Sequence, residues 1–161
     1  MKNRNILKKL LIISFCLLYF TAFSNSGTVG ANKGKTNTVS GKEEGKPLKI
    51  IVKANGKTVT FELNESTAAK SLYDQLPMTV DVENYSNNEK IFYPEKKLDT
   101  SDAPLANAKK GTLAYYAHWG DIVMFYADFG SASGLYELGE AVSGNDEIVS
   151  LSGKIQIEKG N

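Results

Sequence analysis

Four consecutive residues, His118-Trp119-Gly120-Asp121, form the most reactive-looking combination in this chain. A histidine three residues from an aspartate, beside an indole N–H donor, has the parts of a general base with an orienting carboxylate. The same spacing suits a tight turn, because Gly-Asp is a common turn signature, and such a pair then only shapes the chain. Nearby hydroxyls are Ser131 and Ser133, but Gly130-Ser131-Ala132-Ser133-Gly134 centres on Ala132 and is not a Gly-x-Ser-x-Gly elbow. His118 and Asp121 are therefore the weak catalytic candidates, with no nucleophile tied to them.

What the chain lacks narrows the chemistry further. His118 is the only histidine, no cysteine follows Cys16 and no arginine follows Arg4. Thiol nucleophiles, Cys-based metal sites and the guanidinium fork that grips carboxylates and phosphates are thereby removed. Asp121, Asp128 and Glu137 around one histidine match neither HExxH nor EF-hand spacing. Asp99-Thr100-Ser101-Asp102 has acids that could hold calcium loosely, or that are simply solvated. Neither a metal nor a cofactor is expected.

Aromatic residues make the stronger case for binding. Tyr93, Tyr115, Tyr116, Trp119, Phe125, Tyr126 and Tyr136 crowd the second half of the chain. On alternating strands half of them face a core, and the remainder can line a groove for a peptide or small ligand. The candidate ligand-binding residues are Tyr93, His118, Trp119, Phe125 and Ser131, a shallow aromatic pocket with polar edges. An interaction module held off a membrane by a tether is a further reading; it predicts a contiguous exposed apolar patch instead of a pocket.

The elements that must position these residues begin after a leader. Lys2, Arg4, Lys8 and Lys9 precede the 14-residue apolar run from Leu10 to Phe23, the length of a signal h-region and short of the ~20 residues of a membrane span. Ala22-Phe23-Ser24 places small residues for cleavage before Asn25. The expected product is exported, secreted or at the cell surface, with an uncleaved anchor as the alternative and its only membrane contact. Lipidation at Cys16 is not expected, since bulky Phe15 precedes it and the apolar run continues past it.

The chain has 19 basic and 18 acidic residues, and losing the four basic ones of the leader leaves a net charge of −3. An acidic domain without arginine is a poor nucleic-acid binder. With Cys16 in the leader it has no disulfide and depends on its hydrophobic core. Residues 25–46 are rich in Gly, Ser, Thr, Asn and Lys and read as a disordered linker. Residues 47–161 then make one domain.

Leu48–Val52 and Thr58–Leu63 flank Asn55-Gly56, a strong hairpin signal. Asn64 or Ser66 can cap a helix over Thr67–Leu76, which Pro77 closes. Met78, Val80 and Val82 alternate, residues 84–88 turn, and Glu89–Tyr93 returns. Asp99–Lys110 reads as a polar loop. A strand around Leu113 and Tyr115 is followed by a Gly120-Asp121 turn and the unbroken apolar run Ile122–Tyr126, as expected of a strand covered on both faces. Leu135–Leu138 and Lys154–Glu158 are further strands, with a short helical turn over Asn145–Leu151. At least seven strands and one main helix describe a mostly-β barrel.

Two stretches, TAAKSLYDQLPMTVDVENYSNNEKIFYPEKKL and GTLAYYAHWGDIVMFYADFGSASGLYELG, resemble the bacterial cyclophilin-like fold proteins. The likeness runs from Leu48 to Glu158, with Gly111-Thr112-Leu113 where comparable members often have Gly-Asp-Leu. It implies a closed eight-stranded barrel with a helix plugging one end, and it implies no particular activity. True cyclophilins are prolyl isomerases that use an arginine on the twisted amide. This domain has none, so isomerase activity is an alternative and non-catalytic binding the leading expectation.

Overall fold

In the computed structural model, which describes residues 46–161, the short alternating segments become strands that close on themselves. The leader, and the linker except for Lys46, lie outside the described residues. β1 (Lys49–Ala54) and β2 (Lys57–Leu63) form a hairpin across Asn55 and Gly56. Both turn residues have positive φ, 52° and 71°, as the tight primed turn requires. Ile50 then lies opposite Phe61 and Val52 opposite Val59, so one face of the hairpin is wholly apolar.

α1 (Thr67–Tyr73) starts where Ser66 Oγ accepts from the Ala69 N–H at 3.2 Å. It is shorter than the sequence suggests. The N–H groups of Gln75 and Leu76 bond to the Leu72 and Tyr73 carbonyls, tightening the chain into a turn before Pro77. The acids of the 99–102 loop have structural partners: Asp102 accepts from the backbone and hydroxyl of Thr67 at 2.8 and 2.9 Å, and Asp99 accepts from the Ser101 N–H. Those two bonds hold the Asp102 carboxyl below its usual range.

The remaining elements are β3 (Met78–Tyr85), β4 (Glu89–Phe92), β5 (Thr112–Tyr116), β6 (Asp121–Phe125), β7 (Leu135–Ser143), a 3-10 helix (Asn145–Ser150) and β8 (Gly153–Lys159). All pairings are antiparallel, in the closed order β1-β2-β7-β5-β6-β4-β3-β8. The eight-stranded closed barrel with one helix and a short helical turn is the expected architecture. Inside lie Ile50, Val52, Phe61, Leu113, Tyr115 and Met124 among others, joined by Ala68, Ala69 and Leu72 of α1 and Ile148 of the 3-10 helix.

A second apolar layer lies outside the barrel. Ile91, Ala114, Val123 and Phe125 on the outer face of β4, β5 and β6 pack with Ala106, Ala108 and Leu135. The segment expected as a polar loop is strapped over them: Ala106 N–H bonds to Leu135 O at 2.9 Å and Ala108 N–H to Gly130 O at 2.8 Å. This cover is why β6 is buried on both faces. Asp121 is its first residue, not part of the preceding turn. Fewer aromatics face the barrel interior than simple alternation suggests, because this outer face takes Tyr93, Tyr116 and Phe125.

Closure brings two backbones very close at Gly139. A Cβ there would stand 2.1 Å from the Glu62 carbonyl oxygen and 2.9 Å from Leu63 Cα. Gly139→Ala is expected to lower stability by roughly 2–3 kcal/mol, since backbone and not a flexible side chain must yield. Urea unfolding of the variant beside the wild type measures it; an unchanged midpoint would mean that β2 and β7 separate at little cost.

Candidate functional site

The corner between β5 and β6 gathers most of the residues singled out in the sequence. Residues 117–120 make the turn, in which the Trp119 and Gly120 N–H groups both bond to the Tyr116 carbonyl, at 3.0 and 2.8 Å. Trp119 is brought edge-on to Tyr116, with ring centroids 6.1 Å apart at 73°. His118 lies on the same tyrosine at 6.1 Å and 48°. The imidazole also rests on Gly134, where an added Cβ would fall 2.5 Å from Nε2. That glycine has φ +76°, so both its conformation and its missing side chain are used. His118 is exposed, and Tyr116 and Trp119 are half-buried.

Beneath the rings are carboxylates. Asp121 lies opposite Tyr116 in the β5–β6 register and is 0% exposed; Glu89, the first residue of β4, is 5% exposed. A buried carboxylate is costly unless partners satisfy it, and tyrosines surround these two. Tyr85 lies opposite Glu89, and Tyr85, Tyr93 and Tyr116 all pack on the second apolar layer. Burial, then the charges of Asp121 and Glu83, push the Tyr93 hydroxyl up to about 12. Tyr85 and Tyr116 also move up, through burial first and then Glu89; a hydrogen bond from Trp119 partly offsets the rise at Tyr116. These phenols stay protonated near neutral pH, as donors beside anions and not as bases.

The expected site residues fall into three groups. Tyr93, His118 and Trp119 belong to this corner or to the layer beneath it. Phe125 does not present itself to a ligand: it is 1% exposed and stacks on Phe129 at 5.3 Å and 35° under the strap. Ser131 is exposed in the loop that ends at Gly134, and it is Gly134 that meets His118. The two catalytic candidates occupy different media, His118 in solvent and Asp121 in the interior.

Tyr85, Glu83 and Glu89 were not read from the sequence as part of a site. The available signal was the alternation Glu89-x-Ile91-x-Tyr93, which sets a charge on an otherwise apolar strand face.

An open groove of about 470 Å³ lies across the β1–β2 hairpin, β3 and β8, lined by Lys53, Asn55, Lys57, Thr58, Lys154 and Gln156. Its lysines face carboxylates: Lys53 meets Glu158 at 2.7 Å, Lys57 meets Glu147 at 2.8 Å and Lys154 meets Asp81 at 3.6 Å. A smaller one of about 190 Å³ adjoins it along Pro77, Met78 and Ile157. Neither contains an expected site residue. Among the described residues no group of three or more His, Cys, Asp or Glu is arranged to hold a metal, and no helix is long and apolar enough to cross a membrane.

The barrel is similar to that of a hypothetical protein from Archaeoglobus fulgidus, determined in solution. The TM-score is 0.56 at 16% identity, over 73% of this chain and 98% of that one. At that identity the likeness is one of fold. No curated protein matches this chain. The model of the cyclophilin-like family matches residues 52–158, from within β1 to within β8. With the closed barrel, the plugging helix and that match over the whole barrel, the chain belongs to the cyclophilin-like family.

Proposed function

We propose that this cyclophilin-like domain is a non-catalytic binding module, taking a peptide or small ligand against Tyr116, His118 and Trp119 beside Tyr93. The observation that carries the reading is the assembly of partly exposed rings, each 6.1 Å from Tyr116, above the buried carboxylates Asp121 and Glu89. Exposed aromatic edges offer apolar contact and hydrogen bonding at little cost in side-chain entropy. The acids below favour a ligand group that is a donor or a cation. Catalysis is the weaker reading, because the arginine of prolyl isomerases has no counterpart after Arg4 and protonated phenols abstract no proton. The leader-like residues 1–24 support an exported setting.

Trp119 is the only tryptophan, so its fluorescence reports on this corner alone. Titration with a panel of Ala-Pro and Lys-containing tetrapeptides is expected to change its emission saturably for at least one member. Tyr116→Ala is expected to weaken that binding up to about tenfold, the scale of a lost aromatic contact. Backbone amide shifts mapping instead to the Lys53–Lys154 groove, with Tyr116→Ala neutral, would overturn the assignment.

The half-buried tyrosines make a separate prediction. Tyr93 titrates at about 12 in the folded domain, against about 10 unfolded. Its contribution to stability is complete below pH ~10 and is lost as pH rises toward 12, because over that range only the folded form keeps the proton. Phenolate absorbance should show a late step missing from Tyr93→Phe, and the melting temperature of the variant should fall less over the same range. Ionisation of Tyr93 at the ordinary phenol value of about 10 would contradict the buried-acid arrangement.

A further inference from the structure

Residues 46–161 carry 12 lysines against 16 Asp and Glu, a net charge of −4. The groove across the β1–β2 hairpin, β3 and β8 reverses that sign locally. Lys53, Lys57 and Lys154 line it, and none of its lining residues is acidic. A hollow lined by one sign of charge raises the local concentration of the opposite ion.

The strand register explains why donors collect here. Thr58, Lys53, Gln156 and Thr79 stand side by side on β2, β1, β8 and β3, each paired to the next. Their neighbours along β1 and β8, Val52, Ala54, Ile155 and Ile157, are buried in the core, so alternation turns the row to solvent. At ~4.8 Å between strands the row spans about 14 Å, and each of its side chains can donate a hydrogen bond. Lys154 joins it on β8 and Lys57 at the hairpin tip. Asn55 Nδ2 donates to Ser152 Oγ at 2.6 Å, which ties that tip to the residue before β8 and holds the donors in place.

The acids that meet these lysines, Glu158, Glu147 and Asp81, are not among the lining residues. All six side chains are at least 38% exposed, and ion pairs so open to water hold little. A multivalent anion can draw on three lysines at once, where each acid engages one.

We propose that this groove binds the phosphoryl group of a phosphorylated polyol. Without arginine there is no planar fork to match a carboxylate, whereas lysine acts on phosphate as a compact point charge. At about 470 Å³ the groove has room beyond a phosphoryl group and falls in the range of small-ligand sites. Asn55, Thr58, Thr79 and Gln156 offer hydrogen bonds to hydroxyl groups, and Ala54 is the one apolar residue of the lining. The competing reading is a set of solvated ion pairs with no ligand. Tyr116, His118 and Trp119 take no part in this lining, so the two sites stand or fall separately.

Glucose 6-phosphate titrated into the isotope-labelled full chain at low salt is expected to shift the backbone amides of residues 53–58 and 154–156 saturably. Glucose supplies the hydroxyls alone and citrate the charge alone, and each should bind at least about tenfold more weakly, the scale of lost hydrogen bonds to charged groups. Lys154→Gln should weaken glucose 6-phosphate binding by about the same factor. Asp81→Asn, which releases Lys154 from its acid, should tighten it. No saturable shift in the groove, equal binding of glucose or citrate, or the same affinity in both variants would each overturn the proposal. Should a variant fail to fold, the comparison of the three probes on the wild type decides alone.

Discussion

Closure of the sheet is the constraint on which the other features rest. β8 pairs with both β1 and β3, so every strand has two neighbours and no edge is left to template aggregation. Once closed, each strand has an inside and an outside, and the sequence must satisfy both. Gly139 is where closure is tightest, since β7 crosses β2 at a separation that leaves no room for a Cβ. α1 and the 3-10 helix fill the two ends, so the interior is a packed core and not a ligand cavity. Whatever this domain binds must therefore meet its outer surface or its rims.

That conclusion gives the second layer its importance. The outer face of β4, β5 and β6 is too apolar to meet water, and residues 104–108 are strapped across it by backbone hydrogen bonds. The strap lowers the local dielectric over Asp121 and Glu89, which strengthens their effect on nearby phenols. Tyr85, Tyr93 and Tyr116 respond in the same direction, and Tyr93 furthest. Where the strap ends, the β5–β6 turn leaves Tyr116, His118 and Trp119 partly in solvent. A face that is dry at its centre and aromatic at its margin is thus a consequence of covering a two-sided strand.

Local signals made much of the fold legible. Asn55-Gly56 marked its hairpin because only a primed turn joins two right-twisted strands so tightly, and Asn64 or Ser66 marked the helix start, the structure selecting Ser66, whose oxygen caps an orphan N–H. The run Ile122–Tyr126 announced a strand covered twice. The nature of the outer cover was not legible, because it depends on long-range backbone bonds such as Ala106 to Leu135 that no composition encodes. For the same reason Asp99–Lys110 read only as a polar loop. Phe125 looked like a ligand contact because an aromatic on a strand has two possible faces, and here both are covered. Glu89 and Tyr85 passed unnoticed since a charge in a turn-flanked strand is ordinarily solvated, and only the register places them opposite one another.

The two neighbouring residues Glu89 and Lys90 draw these threads together. One-residue alternation sends a carboxylate outward under the strap and an ammonium inward toward the core, and each is at most 5% exposed. Opposite charges adjacent in sequence cannot pair across the sheet, because their side chains leave on opposite faces. The anion has tyrosines on its side of the sheet, whereas the cation lies opposite methionine and asparagine. The same burial thus leads to different chemistry on the two faces. Outside, the carboxylate charge persists and polarises a ring of donors. Inside, burial acts in the opposite sense and pushes the Lys90 ammonium pKa down. The strand that carries Glu89 and Lys90 thus sets opposite charges in two different media one residue apart.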